Sequence, residues 1–323
     1  MTQAESISYA TDPKTYDLET QSASVRRADY LTPAHGRRNL LDIGVLYAGV
    51  LTWMVAGANF LPLWAFIPLS LIICGVQQRQ LAEWLHEGVH YNIHPNRKIN
   101  EAVSKWVLAA SFGIPLSSMR AAHFSHHAAH KFFDERDMDT AYAAIFPGQS
   151  VWRGFLSDLC GLTAIKAYAG SILPRLKKDN GSEAKTSILS TIQLYIPVAI
   201  VQIIYIASSA MAGHFYIWIL YYISLVTVYP VLSRLRLYAQ HLEVGPDGNA
   251  VLAGSGTTRT IKAGFLERMI IQSRLMQYHF EHHVWPHLPY RALETVFEPV
   301  ANNQNRYTTS HSVVFKALSK GVK

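Results

Sequence analysis

Two long stretches of this chain contain no Asp, Glu, Lys or Arg: residues 43–78 and residues 186–233, spans of 36 and 48 residues. No other feature restricts the fold as strongly. A helix needs about 20 apolar residues to cross a bilayer, so each stretch has room for two crossings. Each also carries a break, at Asn59-Phe60-Leu61-Pro62 and at Ala212-Gly213-His214. Soluble helices are amphipathic, whereas these segments are apolar on every face. Tyr and Trp gather near their ends (Trp53, Trp64, Tyr216, Trp218, Tyr229), as side chains do at a membrane interface. The expectation is an all-α integral membrane protein. Its four transmembrane helices form two hairpins, at about 43–60, 62–79, 187–210 and 214–233. Pro197 and Pro230 fall inside the second pair, where neighbours must re-satisfy the freed backbone.

The basic residues set the topology. All 29 Lys and Arg lie outside the two stretches, in the N-terminal arm, in 79–185 and in 234–323. Two hairpins put all three segments on one side, and the positive-inside rule makes it cytoplasmic. The expected layout is a flexible cytosolic arm over 1–40 and a single domain over 41–323. A cytosolic helical cap comes from 80–186 and 234–323, and both termini are cytoplasmic. The formal charge of +7 is met by anionic lipid headgroups and requires no nucleic acid. Residues 1–40 lack the basic–apolar–small layout of a secretory signal. Two cysteines, Cys74 and Cys160, exclude a disulfide framework and a Cys-based metal site. Residues 77–90 read as a helix leaving the bilayer, 102–116 as an interfacial helix, and 151–176 and 261–278 as amphipathic stretches on the membrane surface.

Eight of the fifteen histidines fall in three five-residue windows: HEGVH at 86–90, HFSHH at 123–127 and HFEHH at 279–283. Spacings of three and four put side chains on one helix face, so each window presents converging imidazoles. The windows are His86 and His90; His123, His126 and His127; His279, His282 and His283. All lie on the expected cytosolic side. Eight imidazoles exceed the ligand capacity of one metal that must keep a position open, so two metals fit better. His241, just after the last span, supplies a ninth nitrogen. Acidic residues accompany the windows: Glu83 and Glu87 near the first, Asp134, Asp137 and Asp139 after the second, Glu281 inside the third. A metal-bound histidine usually donates its second N–H to a carboxylate or carbonyl. Glu87, Asp134, Asp137, Gln240, Glu281, His130 and His287 are therefore expected around the ligands. His94 continues the spacing from His90, but Pro95 disturbs the helix there.

The pattern HxxxH, HxxHH, HxxHH with four spans resembles the membrane-bound fatty acid desaturase superfamily, which includes acyl hydroxylases and carotenoid ketolases. The likeness runs from about residue 81 to 293 and is strongest in HFEHHVWPHLP at 279–289. It implies a non-haem di-iron centre that uses O2 to abstract hydrogen from an unactivated C–H bond. It also implies the eight window histidines as ligands. Some members use a further histidine after the fourth span, four residues after an Asn; here Leu237 stands in that position before His241. On this resemblance the expected reaction is desaturation of a fatty acyl chain drawn from the bilayer, with hydroxylation or ketolation as the alternative. Each turnover needs two electrons. No flavin, dinucleotide or haem domain is evident, so an external ferredoxin, rubredoxin or cytochrome b5-like donor is implied.

Two other classes compete. His86-Glu87-x-x-His90 is also the HExxH pattern of zinc proteases, in which Glu is the general base; that reading leaves both HxxHH windows unused. A haem carrier or a metal transporter needs ligands within its spans, and the expected spans hold none apart from His214 at one end.

Overall fold

The computed structural model describes residues 26–128, 137, 139, 141–143, 150–176, 188–244, 248–251, 258–301 and 308–320. It is helical apart from four two-residue strands among those residues. Helix α1 (Arg27–Tyr30) leads into α2 (Pro33–Phe60). Thr32 caps α2 by accepting the His35 N–H, and Pro33 takes the first helical position, where no N–H is needed. Within the expected arm over 1–40, residues 33–40 belong to this helix, with Arg37 and Arg38 exposed on its surface. Residues 1–25 of that arm lie outside the described residues.

Helix α3 (Leu63–Val89) follows a two-residue turn and packs on α2, with Trp53 Nε1 donating to Ser70 Oγ at 3.0 Å. Its character changes along its length. Residues 63–76 are apolar; from Gln77 onward the helix is buried and polar, carrying Gln78, Arg79, Glu83, His86 and Glu87. Helix α4 (Arg97–Ala102) runs into a π turn (Val103–Leu108) and a 3-10 turn (Ala109–Phe112), then α5 (Leu116–His127). Gly88 lets this segment pack on α3: a Cβ there would lie 2.2 Å from Ser104 Oγ. The expected helix over 151–176 is two helices, α6 (Val151–Leu159) and α7 (Leu162–Leu176). They break at Gly161, whose φ of 73° is a left-handed conformation that glycine adopts without a Cβ clash.

Helix α8 (Ile188–Met211) precedes α9 (Tyr216–Val226) and α10 (Val228–His241). The last two form one rod bent at Thr227 (φ −120°, ψ −73°), because Pro230 has no N–H to offer the Val226 carbonyl. Strands β1 (Glu243–Val244) and β2 (Ala250–Val251) pair antiparallel. The expected amphipathic helix over 261–278 is not one helix. It contains the end of β3 (Thr260–Ile261), then α11 (Phe265–Ile270) and a 3-10 turn (Arg274–Met276). Then come α12 (His279–Val284), α13 (Tyr290–Ala301), β4 (Thr308–Thr309), parallel to β3, and α14 (His311–Lys320).

Among the described residues, three helical segments are long and apolar enough to cross a membrane: Pro33–Phe60, Ser190–Met211 and Tyr216–His241. The fourth expected span falls in α3, whose apolar run stops at residue 76, short of the roughly 20 residues that a crossing uses. Apolar side chains cover the outside of this layer; Phe60 and Trp64 are 84 % and 81 % exposed. Contiguous apolar surface of this kind suits a membrane rather than water. Helix α3 is the central element, packed against α2, α9 and α10. Leu81, Leu85 and Val89 join Ile43, Leu108, Phe112 and Leu225 in the largest apolar cluster, directly beneath the first histidine window. That packing fixes the rotation of α3 and therefore the direction in which His86 and His90 point.

Candidate metal centre

Four helix segments deliver nine histidines to one place. The end of α3 brings His86 and His90, α5 brings His123, His126 and His127, the end of α10 brings His241, and α12 brings His279, His282 and His283. The side chains separate into two neighbouring groups. One holds His86, His90, His123, His127 and His282; the other holds His126, His241, His279 and His283. Within each group one nitrogen per ring lies within 4.8 Å of the others. The groups touch: the His127 and His283 rings stack with centroids 4.4 Å apart.

Helix geometry explains the partition. In an HxxHH window the first and last histidines are four residues apart and nearly eclipsed, whereas adjacent residues diverge by about 100°. His123 and His127 therefore serve one group while His126 turns to the other. The third window does the same in reverse: His279 and His283 serve the four-histidine group and His282 crosses to the five-histidine group.

Ring nitrogens converge at short range. Nε2 of His123 lies 2.9 Å from Nε2 of His90 and 3.0 Å from that of His127, which lies 3.1 Å from Nε2 of His282. In the second group Nε2 of His279 is 2.9 Å from that of His241 and 3.2 Å from that of His283. A neutral imidazole has one N–H and one lone pair, so such clusters cannot all be satisfied by donating to each other. Neither ring nitrogen of His86 has a hydrogen-bond partner. Burial and the mutual proximity of the rings hold the pKa of His86, His90, His279, His282 and His283 well below the ordinary imidazole value, and that of His127 at about 2. Those six rings are therefore neutral, with lone pairs available to a cation. A largely buried set of five and four imidazole donors fits a pair of transition-metal ions, for which imidazole is a preferred ligand.

Two carboxylates orient the rings from behind. Asp137 accepts from His126 Nδ1 at 2.9 Å, and Asp139 accepts from His123 Nδ1 at 3.0 Å. Each bond fixes the tautomer with Nε2 unprotonated toward the centre. Asp137 Oδ1 also accepts the Asp139 N–H at 3.1 Å, which ties the acidic turn together. The acidic run after the second window signalled this pair, although spacing alone did not single out Asp139.

The other expected supporting residues are placed differently. Glu87 lies 3.9 Å from His86 Nδ1, beyond hydrogen-bonding distance, and accepts the Tyr290 N–H instead. Burial pushes its carboxyl up to about 8. A protease base must face the metal-bound water, and this side chain is engaged elsewhere. Glu281 accepts from Thr260 Oγ1 at 2.5 Å, and its carboxyl is raised by burial to about 7. Gln240 donates to the Met276 carbonyl at 3.2 Å, while its Oε1 has no partner. His287 is exposed and belongs to neither group. His94 accepts the Asn96 N–H and also stays outside both. His130 and Asp134 lie outside the described residues.

A cavity of about 290 Å³ opens against the histidines. His86, His123, His126, His241 and His279 line it, together with the apolar Ile114, Ala164, Ala167 and Leu225. Arg79, Tyr142, Tyr168, Arg236 and Gln240 also reach it. None of the tyrosines or arginines was legible as part of a site, because they come from separate helices and no short-range spacing links them.

Comparison with known proteins agrees with this architecture. Residues 62–314 match the family model described as fatty acid desaturase. The chain is also similar to the dihydrorhizobitoxine desaturase of Bradyrhizobium elkanii, with 26 % identity over 245 residues. That alignment covers 70 % of this chain and 65 % of the relative, so the chain spans somewhat less than two thirds of the relative's length. The matched region contains every one of the nine converging histidines, and the chain belongs to the fatty acid desaturase family.

Proposed function

We propose that the protein is an O2-dependent, di-iron membrane oxidoreductase that desaturates a fatty acyl-type chain. The observation that carries this reading is the pair of histidine groups, members of both of which line one largely apolar cavity. The five-histidine group would hold one iron and the four-histidine group the other. Iron supplies the redox chemistry that zinc lacks, namely O2-driven abstraction of an aliphatic hydrogen. The balance is –CH2–CH2– plus O2, two electrons and two protons, giving –CH=CH– and two waters. An external ferredoxin, rubredoxin or cytochrome b5-like protein supplies the electrons. The desaturase name of the relative supports loss of two hydrogens over oxygen insertion.

The residues of the chain have definite tasks in this reading. The histidines present lone pairs in fixed directions. Asp137 and Asp139 keep Nδ1 protonated so that Nε2 faces inward. Ile114, Ala164, Ala167 and Leu225 line the space next to the histidines with apolar surface, which suits a hydrocarbon segment and limits water. In the membrane, the first part of α3 pairs with α2 as a fourth, short crossing, and the basic residues place the histidines and both termini on the cytoplasmic side.

The test is expression in a host with a defined lipid set, followed by iron analysis and product mass spectrometry with a supplied donor. Two irons per chain and products two hydrogens lighter than substrate are expected. Zinc alone would overturn the di-iron assignment, and products gaining only oxygen would overturn desaturation.

A further inference from the structure

We infer that the substrate carries a free carboxylate, bound by Arg236 in the cavity beside the histidines, and that the bond attacked lies close to that carboxylate. This rests on the desaturase reading above and names its substrate class. Arg236 sits on α10, five residues before His241, an axial rise of about 7.5 Å. It lines the cavity together with Gln240 on the same helix face. Its Nε is buried and has no hydrogen-bond partner, and the described carboxylate whose charge it feels through space is Asp139. The other arginine of the cavity, Arg79, is different. It is bound to Glu83 and to the Ile271 carbonyl, so its charge is already matched. Asp139, which lines the cavity, is hydrogen-bonded to His123 and leaves the guanidinium's donor positions unfilled, although it lies near enough to feel the Arg236 charge.

Buried polar groups without partners are costly. A plain hydrocarbon in this cavity would leave Arg236 Nε, Ser118 Oγ and Gln240 Oε1 unmet, besides nitrogens of the lining histidines. A carboxylate answers the guanidinium with the planar, two-oxygen geometry that arginine prefers. Gln240 Oε1, an acceptor, then suits an N–H or O–H of the same molecule. The cavity of about 290 Å³ lies at the lower edge of the usual range for small-ligand pockets. Anchor and histidines line the same small space, so the anchored acid presents carbons near its head group, not the middle of a long chain.

The test has a binding arm and a turnover arm, both on the full chain purified with iron in detergent. In the first, melting temperature is followed while titrating straight-chain acids of about four to twelve carbons and their primary amides. The acids are expected to stabilise the wild type and the amides are not; Arg236→Gln raises the apparent Kd for acids at least ten-fold and Arg236→Lys raises it less. Equal stabilisation by acid and amide, or an unchanged Kd in Arg236→Gln, overturns the proposal. Should Arg236→Gln fail to fold, the wild-type acid–amide comparison and Arg236→Lys decide. In the second arm, the same acids and intact phospholipid are supplied with reductant and O2, and products are mapped. Unsaturation near the carboxylate is expected; conversion of phospholipid alone overturns the carboxylate assignment. Lack of any turnover with selective acid binding intact would instead fault the desaturase reading.

Discussion

Asp137→Asn is a nearly isosteric change with a calculable cost. The two oxygens of Asp137 both accept: Oδ2 from His126 Nδ1 and Oδ1 from the Asp139 N–H. Asparagine has one oxygen and one NH2, so one donor must face another donor whichever way the amide turns. The side chain is fully buried, so water does not repair the mismatch. An unsatisfied buried donor costs about 1–3 kcal/mol. If the amide keeps its oxygen toward His126, the acidic turn loses its internal bond; if it flips, His126 loses its orienting acceptor. Either way the four-histidine group is disturbed, and loss of such a partner weakens metal affinity by about 10- to 100-fold. Competition of the purified protein against a coloured ferrous chelator would measure this, iron being expected to leave at lower chelator concentration than in wild type. A release curve superimposable on wild type would refute the claim that Asp137 orients a ligand.

The neighbouring pair His126 and His127 offers a second experiment. His126→Ala leaves three ligands in its group, whereas His127→Ala leaves four in the other, so His126→Ala should retain less iron by mass spectrometry; both should abolish turnover, and equal iron loss would contradict the partition. The pH dependence has a defined sign. Folded His86, His90, His279, His282 and His283 have lowered pKa values and His127 stands at about 2, so between there and the unfolded value of about 6.5 the unfolded chain binds more protons. Melting temperature and iron retention should therefore fall as pH drops below about 6.5 and change little above it; a decline toward higher pH would exclude this linkage. Gly88→Ala would push a methyl into Ser104 Oγ and lower stability by about 1–3 kcal/mol. Gly88→Ala with Ser104→Ala should recover part of that loss in a thermal melt.

The histidines were legible in the sequence because helix periodicity acts over three or four residues, the distance separating His123 from His126 and His127. Their division into two groups was not, since it depends on the rotation of α5 and α12 relative to α3, set by packing of Leu81, Leu85 and Val89 far away in sequence. Thr32-Pro33 was a readable helix start, masked by the charges of Arg37, Arg38 and Asp42 that follow it. The short apolar run of α3 was overestimated because the absence of charge through Gln78 was counted as apolarity, although Gln77 and Gln78 are polar. Arg236 gave no signal at all: what distinguishes it is the lack of a partner, a property of three-dimensional surroundings.

The exchange of His126 and His282 between groups has a consequence for how the protein matures. Each of the two longer windows contributes to both groups, so, on the di-iron reading proposed above, an ion arriving in either would fix the rotation of α5 and α12 together. The ordering cost of both helices falls on the first ion, and the second meets a finished cage. Uptake should thus be cooperative, and by linkage the loss of either ion loosens the other. A chain carrying one iron would be a sparsely populated species.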